Sequence, residues 1–248
     1  MKPPLVIGAL GGSGTRVVAR IVRRAGLYMG THLNVSEDAM EFVEFYDRWI
    51  NRFICRGQIP LTKTDTVQME EEFYDCVAKH RAFIPAEQMD WGWKEPRSIY
   101  LLPFFHRYFQ GLKFIHVIRD GRDMAFSVNQ NQLRKHGKAV LPAPYDSLSQ
   151  PEQTARLWNE INLMALSYGH ENLRDRYMYL RFEDLCRDPK VTIARISKFL
   201  ERDIDIEAAL AEVVPPLSVG RWKNCGGSEL LDKITCHARG ALVRFGYD

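Results

Sequence analysis

The residues of this chain best suited to chemistry gather in one turn, Gly11-Gly12-Ser13-Gly14-Thr15-Arg16. It lies between the apolar run Leu5-Val6-Ile7-Gly8-Ala9-Leu10 and a helical pattern from Val17 to Ala25. Three glycines in four positions let the backbone approach a ligand closely and take dihedrals that other residues resist. A helix starting immediately afterwards leaves its first N–H groups without partners and carries partial positive charge there. Strand, glycine turn and helix start together form an anion seat, and phosphate is its commonest occupant. Ser13 and Thr15 add hydroxyl donors and Arg16 a charge; the alternative is a glycine-rich connection that binds nothing. A second candidate is Arg119 with Ser127, one at the end of an apolar run and one in the helical stretch after it. A guanidinium and a hydroxyl suit a separate phosphate. The alternative for Arg119 is a structural ion pair with Asp120 or Asp123.

The turn is not a Walker A loop, which needs Lys directly after its last Gly. Gly14 is followed by Thr15 and Arg16, which disfavours an ordinary nucleotide triphosphatase. The 248 residues suffice for one sizeable core, and the expected organisation is a single domain over 1–248. Hydrophobic content of 46% beside 26% charged residues is that of a globular chain. A net charge of +3 gives no global case for nucleic acid as a partner, so an anion site must be local. Arg134, Lys135 and Lys138 read as a solvated basic face. The five cysteines, Cys55, Cys76, Cys186, Cys225 and Cys236, are scattered without a CxxC pair, which indicates neither a zinc site nor a disulfide framework. No apolar run is long enough for a signal peptide or a membrane span, so the expected location is the cytoplasm.

The elements that must position these residues alternate. Leu5 to Leu10 reads as a buried strand, and Gly14 to Ala25 as a helix closed by Gly26. Ser36-Glu37-Asp38 reads as a helix start, followed by Phe42, Phe45, Tyr46, Trp49 and Phe53 at helical spacing, a stripe for core or pocket wall. Glu70 to His80 is helical, Trp91 to Glu95 a second strand ended by Pro96, and Arg97 to Phe109 helical. Lys113 to Ile118 is a third strand, whose following turn opens a helix through about Gln130. Gly137 to Gln150 reads as a surface loop or lid. Pro151 to Leu173 is a long helix, Tyr177 to Arg181 a fourth strand, Val191 to Leu200 helical, and a last helix runs from about Ser228. Strands alternating with helices predict an α/β fold with a central, mostly parallel sheet covered on both faces. Its ligand then sits at the carboxyl ends of the strands, where the turns after strands one, two and three meet.

These residues resemble the sulfotransferases that use 3′-phosphoadenylyl sulfate (PAPS), which have a P-loop NTPase-like architecture. The family's Ser-Gly-Thr loop is similar to Gly12-Ser13-Gly14-Thr15-Arg16, and its Arg and Ser across a strand–helix turn to Arg119 and Ser127. Leu180-Arg181-Phe182-Glu183-Asp184-Leu185 with Asp188-Pro189 resembles a further motif, as does Gly220-Arg221-Trp222-Lys223-Asn224. The four occur in family order. The resemblance implies that the loop from Gly11 holds the 5′-phosphosulfate while Arg119 and Ser127 hold the 3′-phosphate. PAPS is then the co-substrate and adenosine 3′,5′-bisphosphate (PAP) the product, with no metal required. The family usually carries Lys or Arg where Gly12 stands, and often Arg-Lys-Gly where Pro215-Pro216-Leu217 stands.

Trp93-Lys94-Glu95-Pro96 resembles the family segment whose Lys faces the sulfonyl group, which makes Lys94 the substitute for the missing cation. Arg16, Arg221 and Lys223 are further sources of positive charge. The acceptor hydroxyl needs a base. The family's carboxylate base falls nearest Glu37 and Asp38, with helix capping as their other reading; His32 and Glu95 are outside candidates. His106 and His116 read as helix-face and core residues. The function implied is sulfuryl transfer to a hydroxyl of a small-molecule, glycan or lipid acceptor, with the segments Phe42 to Phe53 and Leu141 to Tyr145 as acceptor walls. The alternatives are a non-enzymatic binder of phosphoadenosine nucleotides, suggested by Gly12, and a P-loop-type kinase.

Overall fold

The computed structural model describes residues 2–54, 61–84, 90–225 and 227–247; Cys55 lies outside them. The chain opens with strand β1 (Leu5–Gly8) and helix α1 (Thr15–Arg24), followed by α2 (Val43–Ile54) and α3 (Lys63–Arg81). Next come β2 (Gly92–Lys94), a 3₁₀ turn at Pro96–Leu101, α4 (Leu102–Tyr108) and β3 (Lys113–Ile118). Two helices, α5 (Gly121–Ala125) and α6 (Asn131–Val140), precede the long α7 (Gln150–Tyr168) and β4 (Tyr177–Arg181). The chain ends through α8 (Phe182–Arg187), α9 (Pro189–Leu200), α10 (Ile206–Leu210) and α11 (Ser228–Phe245).

The four strands form one all-parallel sheet in the order β2-β1-β3-β4. Every residue of β1 is buried, because helices cover both faces and the pleat has no wet side. Alternate residues of β1 therefore enter different cores. Leu5 and Ile7 join an aliphatic cluster with Val18, Ile21, Val117 and Leu180. Val6 joins an aromatic cluster with Phe42, Trp49, Phe73 and Trp93. The aromatic stripe after residue 40 is thus core: Phe42 stacks on Trp93 at 4.8 Å between ring centroids, and Trp49 is fully buried. The carboxyl ends of β1, β2 and β3 lie side by side and present the turns that carry the candidate residues.

Three local expectations are corrected. Ser36-Glu37-Asp38 does not start a helix. The Asn34 side chain accepts from the N–H groups of Ser36 (2.8 Å) and Asp38 (3.0 Å), closing a turn in which Glu37 takes a left-handed φ of 61°. The helix begins later, through a 3₁₀ turn at Met40–Phe42. After β3 the helix does not run to Gln130 but stops at Ala125, because Gln130 Nε2 donates to Ser127 O (2.7 Å) and Met124 O (3.3 Å). The chain then restarts as α6, and the loop expected from Gly137 begins at Leu141 and runs to α7. Helix α3 begins before Glu70, where Thr62 and Asp65 form a reciprocal capping box.

Candidate active site

Helix α1 begins on Gly14, whose φ of 89° is left-handed, with no side-chain cap and no acidic residue in its first turn. Gly12 has a φ of 95°, and a Cβ on Gly14 would overlap the Phe182 ring. The turn therefore needs glycine twice, for its dihedrals and for Phe182 packed beneath it. Gly11, Gly12, Gly14, Thr15 and Arg16 all border one cavity of about 320 Å³. Ser13 is buried, and its hydroxyl donates to Leu10 O at 2.7 Å, which ties the loop to the end of β1 rather than offering a donor to the cavity. Arg16 donates to Val35 O at 3.3 Å across the mouth.

Arg119 borders the same cavity from the end of β3. Its guanidinium lies 3.0 Å from the Asp123 carboxylate, donates to Ser218 O and Ser218 Oγ, and reaches Gly12 O at 3.5 Å. Arg119 is thus an ion-pair partner of Asp123 that also lines the cavity. Asp120 pairs with Arg122 instead. Ser127 Oγ stands 4.0 Å from where a Gly12 Cβ would be and accepts from Asn129 N. Arg221 donates to Ser218 O, the carbonyl that Arg119 also uses, and to Phe126 O beside Ser127. Arg119, Ser127 and Arg221 are thus brought together. Lys223 is not: it borders a separate cavity behind α5, with its Nζ 5.8 Å from the Trp222 ring centroid.

Lys94, at the end of β2, is 1% exposed and points into the cavity of the glycine turn. Its Nζ donates to Ser36 O and to Asp38 Oδ1, the latter at 2.6 Å. Burial pulls the Lys94 ammonium below its ordinary value, and the charge of Asp38 acts against that shift. Asp38 borders the cavity; Glu37, its neighbour, does not come to it. The left-handed turn sends Glu37 toward α1, where Arg20 (2.6 Å) and Arg23 hold its carboxylate. Burial raises the Glu37 pKa, and the two arginines outweigh this and lower it. His32 is exposed and 3.8 Å from Glu41, and Glu95 is buried against Arg97 at 2.7 Å. His116 is a core residue as expected, fully buried between Tyr177 and Asn162, and His106 bonds Tyr168 at 3.2 Å.

Several residues of the site carry no signal that spacing alone would reveal. Asp123 accepts from Gly220 N (2.7 Å) and Trp222 N (3.1 Å) as well as from Arg119, so one carboxylate pins the 218–222 segment over the guanidinium. Phe182, Val17, Val214 and Pro216 form an apolar wall of the cavity, and Asn129 closes its far side. Phe182 and Asp123 fall inside motifs of the chain, but motif spacing does not say which side chains turn inward. Among the described residues, no cluster of three His, Cys, Asp or Glu side chains is placed to hold a metal ion, and no helix is long and apolar enough to cross a membrane.

The parallel α/β sheet thus presents an uncapped glycine turn, a guanidinium and a buried lysine–carboxylate pair around one cavity, the make-up of a site that grips anionic groups. Residues 4–205 match the profile of the sulfotransferase family, and the chain belongs to that family. A comparison with curated proteins gives no match. Among solved structures, the fold is similar to the sulfotransferase domain of the Synechococcus PCC 7002 olefin synthase, with a TM-score of 0.59 and 18% identity over 100% of this chain and 95% of that one. It is also similar to a sulfotransferase from Alicyclobacillus acidocaldarius, with a TM-score of 0.60 and 14% identity over 98% and 94% of the two chains. Retinol dehydratase, solved in a complex with retinol and PAP, aligns with a TM-score of 0.52 and 15% identity over 98% and 82%. The expected family and α/β fold are those found, and the protein is a sulfotransferase.

Proposed function

We propose that this sulfotransferase moves a sulfuryl group from PAPS to a hydroxyl of a small-molecule, glycan or lipid acceptor by in-line displacement. One observation carries the reading: the glycine turn, Arg119 and the Lys94–Asp38 pair border a single cavity. The uncapped N–H groups at the start of α1 would receive the 5′-phosphosulfate. Arg119 and Arg221, beside Ser127, would hold the 3′-phosphate. The apolar wall at Phe182 and Val214 would take an uncharged face of the nucleotide. A glycine turn, a guanidinium and an apolar wall around one cavity suit a ligand with two phosphates and a flat ring, and PAP in the retinol dehydratase complex supports the same choice.

As the S–O bond to the departing nucleotide breaks, negative charge grows on the phosphate. Preorganised donors aimed at that charge lower the barrier more than any other single effect. Lys94 takes the part of the cation absent at Gly12, since its ammonium enters the same cavity from β2. Asp38 takes the acceptor's proton. The pairing serves both: Asp38 keeps Lys94 charged against burial, and Lys94 holds the Asp38 carboxylate at the edge of the cavity.

The test is PAP release from PAPS over a panel of hydroxyl acceptors, with titration calorimetry of PAP alongside. Lys94→Met should lower kcat by about 10²–10³-fold, and Asp38→Asn by about 10²–10⁴-fold. Both variants should keep wild-type affinity for PAP. A wild-type protein that does not bind PAP, or variants that turn over normally, would defeat the proposal.

A further inference from the structure

A second cavity, of about 220 Å³, opens beside the first and shares Gly11, Asp38, Pro96 and Asn129 with it. Asp38 faces both: Oδ1 meets Lys94, and Oδ2 accepts from Asn34 Nδ2 at 3.0 Å. A hydroxyl that gives its proton to Asp38 from the side away from the nucleotide seat must lie here. The walls of this cavity then specify the acceptor.

Besides Asn34, whose amide is bound to Asp38, three carboxamides border it: Asn129, Asn131 and Gln132. Their oxygens are already used: Asn129 Oδ1 accepts from Asn131 N (3.2 Å), Asn131 Oδ1 from Arg134, and Gln132 Oε1 from Tyr100 (3.0 Å). That fixes which end of each amide is which. Apart from a long contact of Gln132 Nε2 with Ala9 O at 3.5 Å, the amino ends donate to no acceptor among the described residues. Gln132 Nε2 and Asn129 Nδ2 lie 3.5 Å and 3.6 Å from where a Gly11 Cβ would be, so N–H donors and the Asp38 carboxylate line the same cavity. Hydroxyl groups accept and donate, so they answer both sides at once.

The charges are balanced in pairs. Asp38 meets Lys94 at 2.6 Å, Glu95 meets Arg97 at 2.7 Å, and Lys135 meets Asp47 at 2.6 Å. Asp38 and Glu95 carry one sign on the cavity wall and Arg97 and Lys135 the other, so the lining offers no net charge for a charged acceptor to answer. Met40, Val43 and Pro96 give one short apolar side. The volume lies below the ~300–1,000 Å³ of sites for drug-sized ligands, so the part of the acceptor held inside is small. A ring with one C–H face and a rim of hydroxyls fits all three features.

We propose that the acceptor group is a neutral polyhydroxylated ring the size of one monosaccharide, held by the amides of Asn129, Asn131 and Gln132 with one hydroxyl against Asp38. The inference rests on the sulfotransfer reading above. The ring can be a free sugar or the end of a larger molecule; the chemistry recognised is the same.

Transfer from PAPS is measured to methyl glucoside, methyl galactoside, methyl mannoside, myo-inositol and octyl glucoside, against 4-nitrophenol, 1-octanol, glucuronate and glucosamine. At least one neutral polyol should be turned over in preference to every phenol, alkanol and charged sugar. Preference for octyl over methyl glucoside would identify a lipid-borne ring, and the reverse a free one. Asn131→Ala and Gln132→Leu should each raise KM for that polyol by about 2- to 12-fold, the net worth of one hydrogen bond, with kcat and PAP affinity kept. Asn131 sits at the exposed start of α6, so its variant remains informative should Gln132→Leu fold poorly. Absence of transfer to every polyol, preference for the phenol or alkanol, or KM unmoved by Asn131→Ala would overturn the inference. Calorimetry separates the two levels: PAP bound without polyol transfer sinks this inference alone, whereas no PAP binding sinks the sulfotransfer reading.

Discussion

Replacing Arg119 with Ala removes one guanidinium that serves both the fold and the proposed ligand. In the free protein it neutralises Asp123, whose side chain is 0% exposed, and donates to Ser218. Taking away one partner of a buried ion pair costs ~3–5 kcal/mol. Asp123 would keep the N–H groups of Gly220 and Trp222, which puts the expected loss of stability at the low end, about 3 kcal/mol in urea unfolding. The ligand side is smaller than for an unengaged guanidinium, because a 3′-phosphate must take over donors that already serve Ser218. A hydrogen bond to a charged group contributes ~1.5–3 kcal/mol, and that exchange again selects the low end. About 1.5 kcal/mol is about 12-fold in Kd. The assay is calorimetry of PAP and of AMP, which lacks the 3′-phosphate, on wild type and variant. Wild type should prefer PAP, and Arg119→Ala should lose about 12-fold of that preference while its affinity for AMP holds. A folded variant with an unchanged PAP-to-AMP ratio refutes the phosphate role. Arg119→Lys should recover stability better than it recovers the ratio, since an ammonium replaces the charge but not the planar fork.

Three further expectations follow from the same geometry. Glu37→Gln should leave turnover at the wild-type level, because the carboxylate faces Arg20 and Arg23 on α1; a loss comparable to that of Asp38→Asn would show the assignment reversed. Gly14→Ala should destabilise by about 2–5 kcal/mol, from left-handed backbone strain together with overlap with Phe182, read as a lower urea midpoint. Burial holds His116 and His136 neutral down to a pKa of about 4, from an ordinary 6.5. Unfolding therefore takes up protons between these values, and stability should fall as pH drops from 6.5 toward 4, by on the order of 3 kcal/mol per ring. Urea titrations across that window check it, and His116→Gln should flatten the slope.

The parts legible in the sequence were those with a short-range signal. Continuous apolar runs marked β1 and β3, and glycine spacing marked the turn after β1, because each depends on neighbours a few positions away. Arg119 and Lys94 were legible as motif members at strand ends. What failed depended on side chains reaching across a turn. Glu37 and Asp38 are adjacent and chemically alike, and only the Asn34 hydrogen bonds decide that one faces the cavity and the other α1. The break after Ala125 hangs on Gln130 reaching back to two carbonyls, which no helical periodicity records. Lys223 shares a motif with Arg221 yet borders another cavity. The acceptor-side amides of Asn129, Asn131 and Gln132 carry no signature at all, since their role comes from where α6 restarts.

The division of β1 between two cores has an evolutionary reading. The glycine turn and α1 rest largely on the aliphatic cluster, whereas α2, the 3₁₀ turn after β2 and α6 rest on the aromatic one. Changes to the walls of the smaller cavity can then be absorbed by repacking rings on one side of the sheet, with β1 and its turn left in register. Such a chain is free to diversify what it modifies while keeping the donor it draws on.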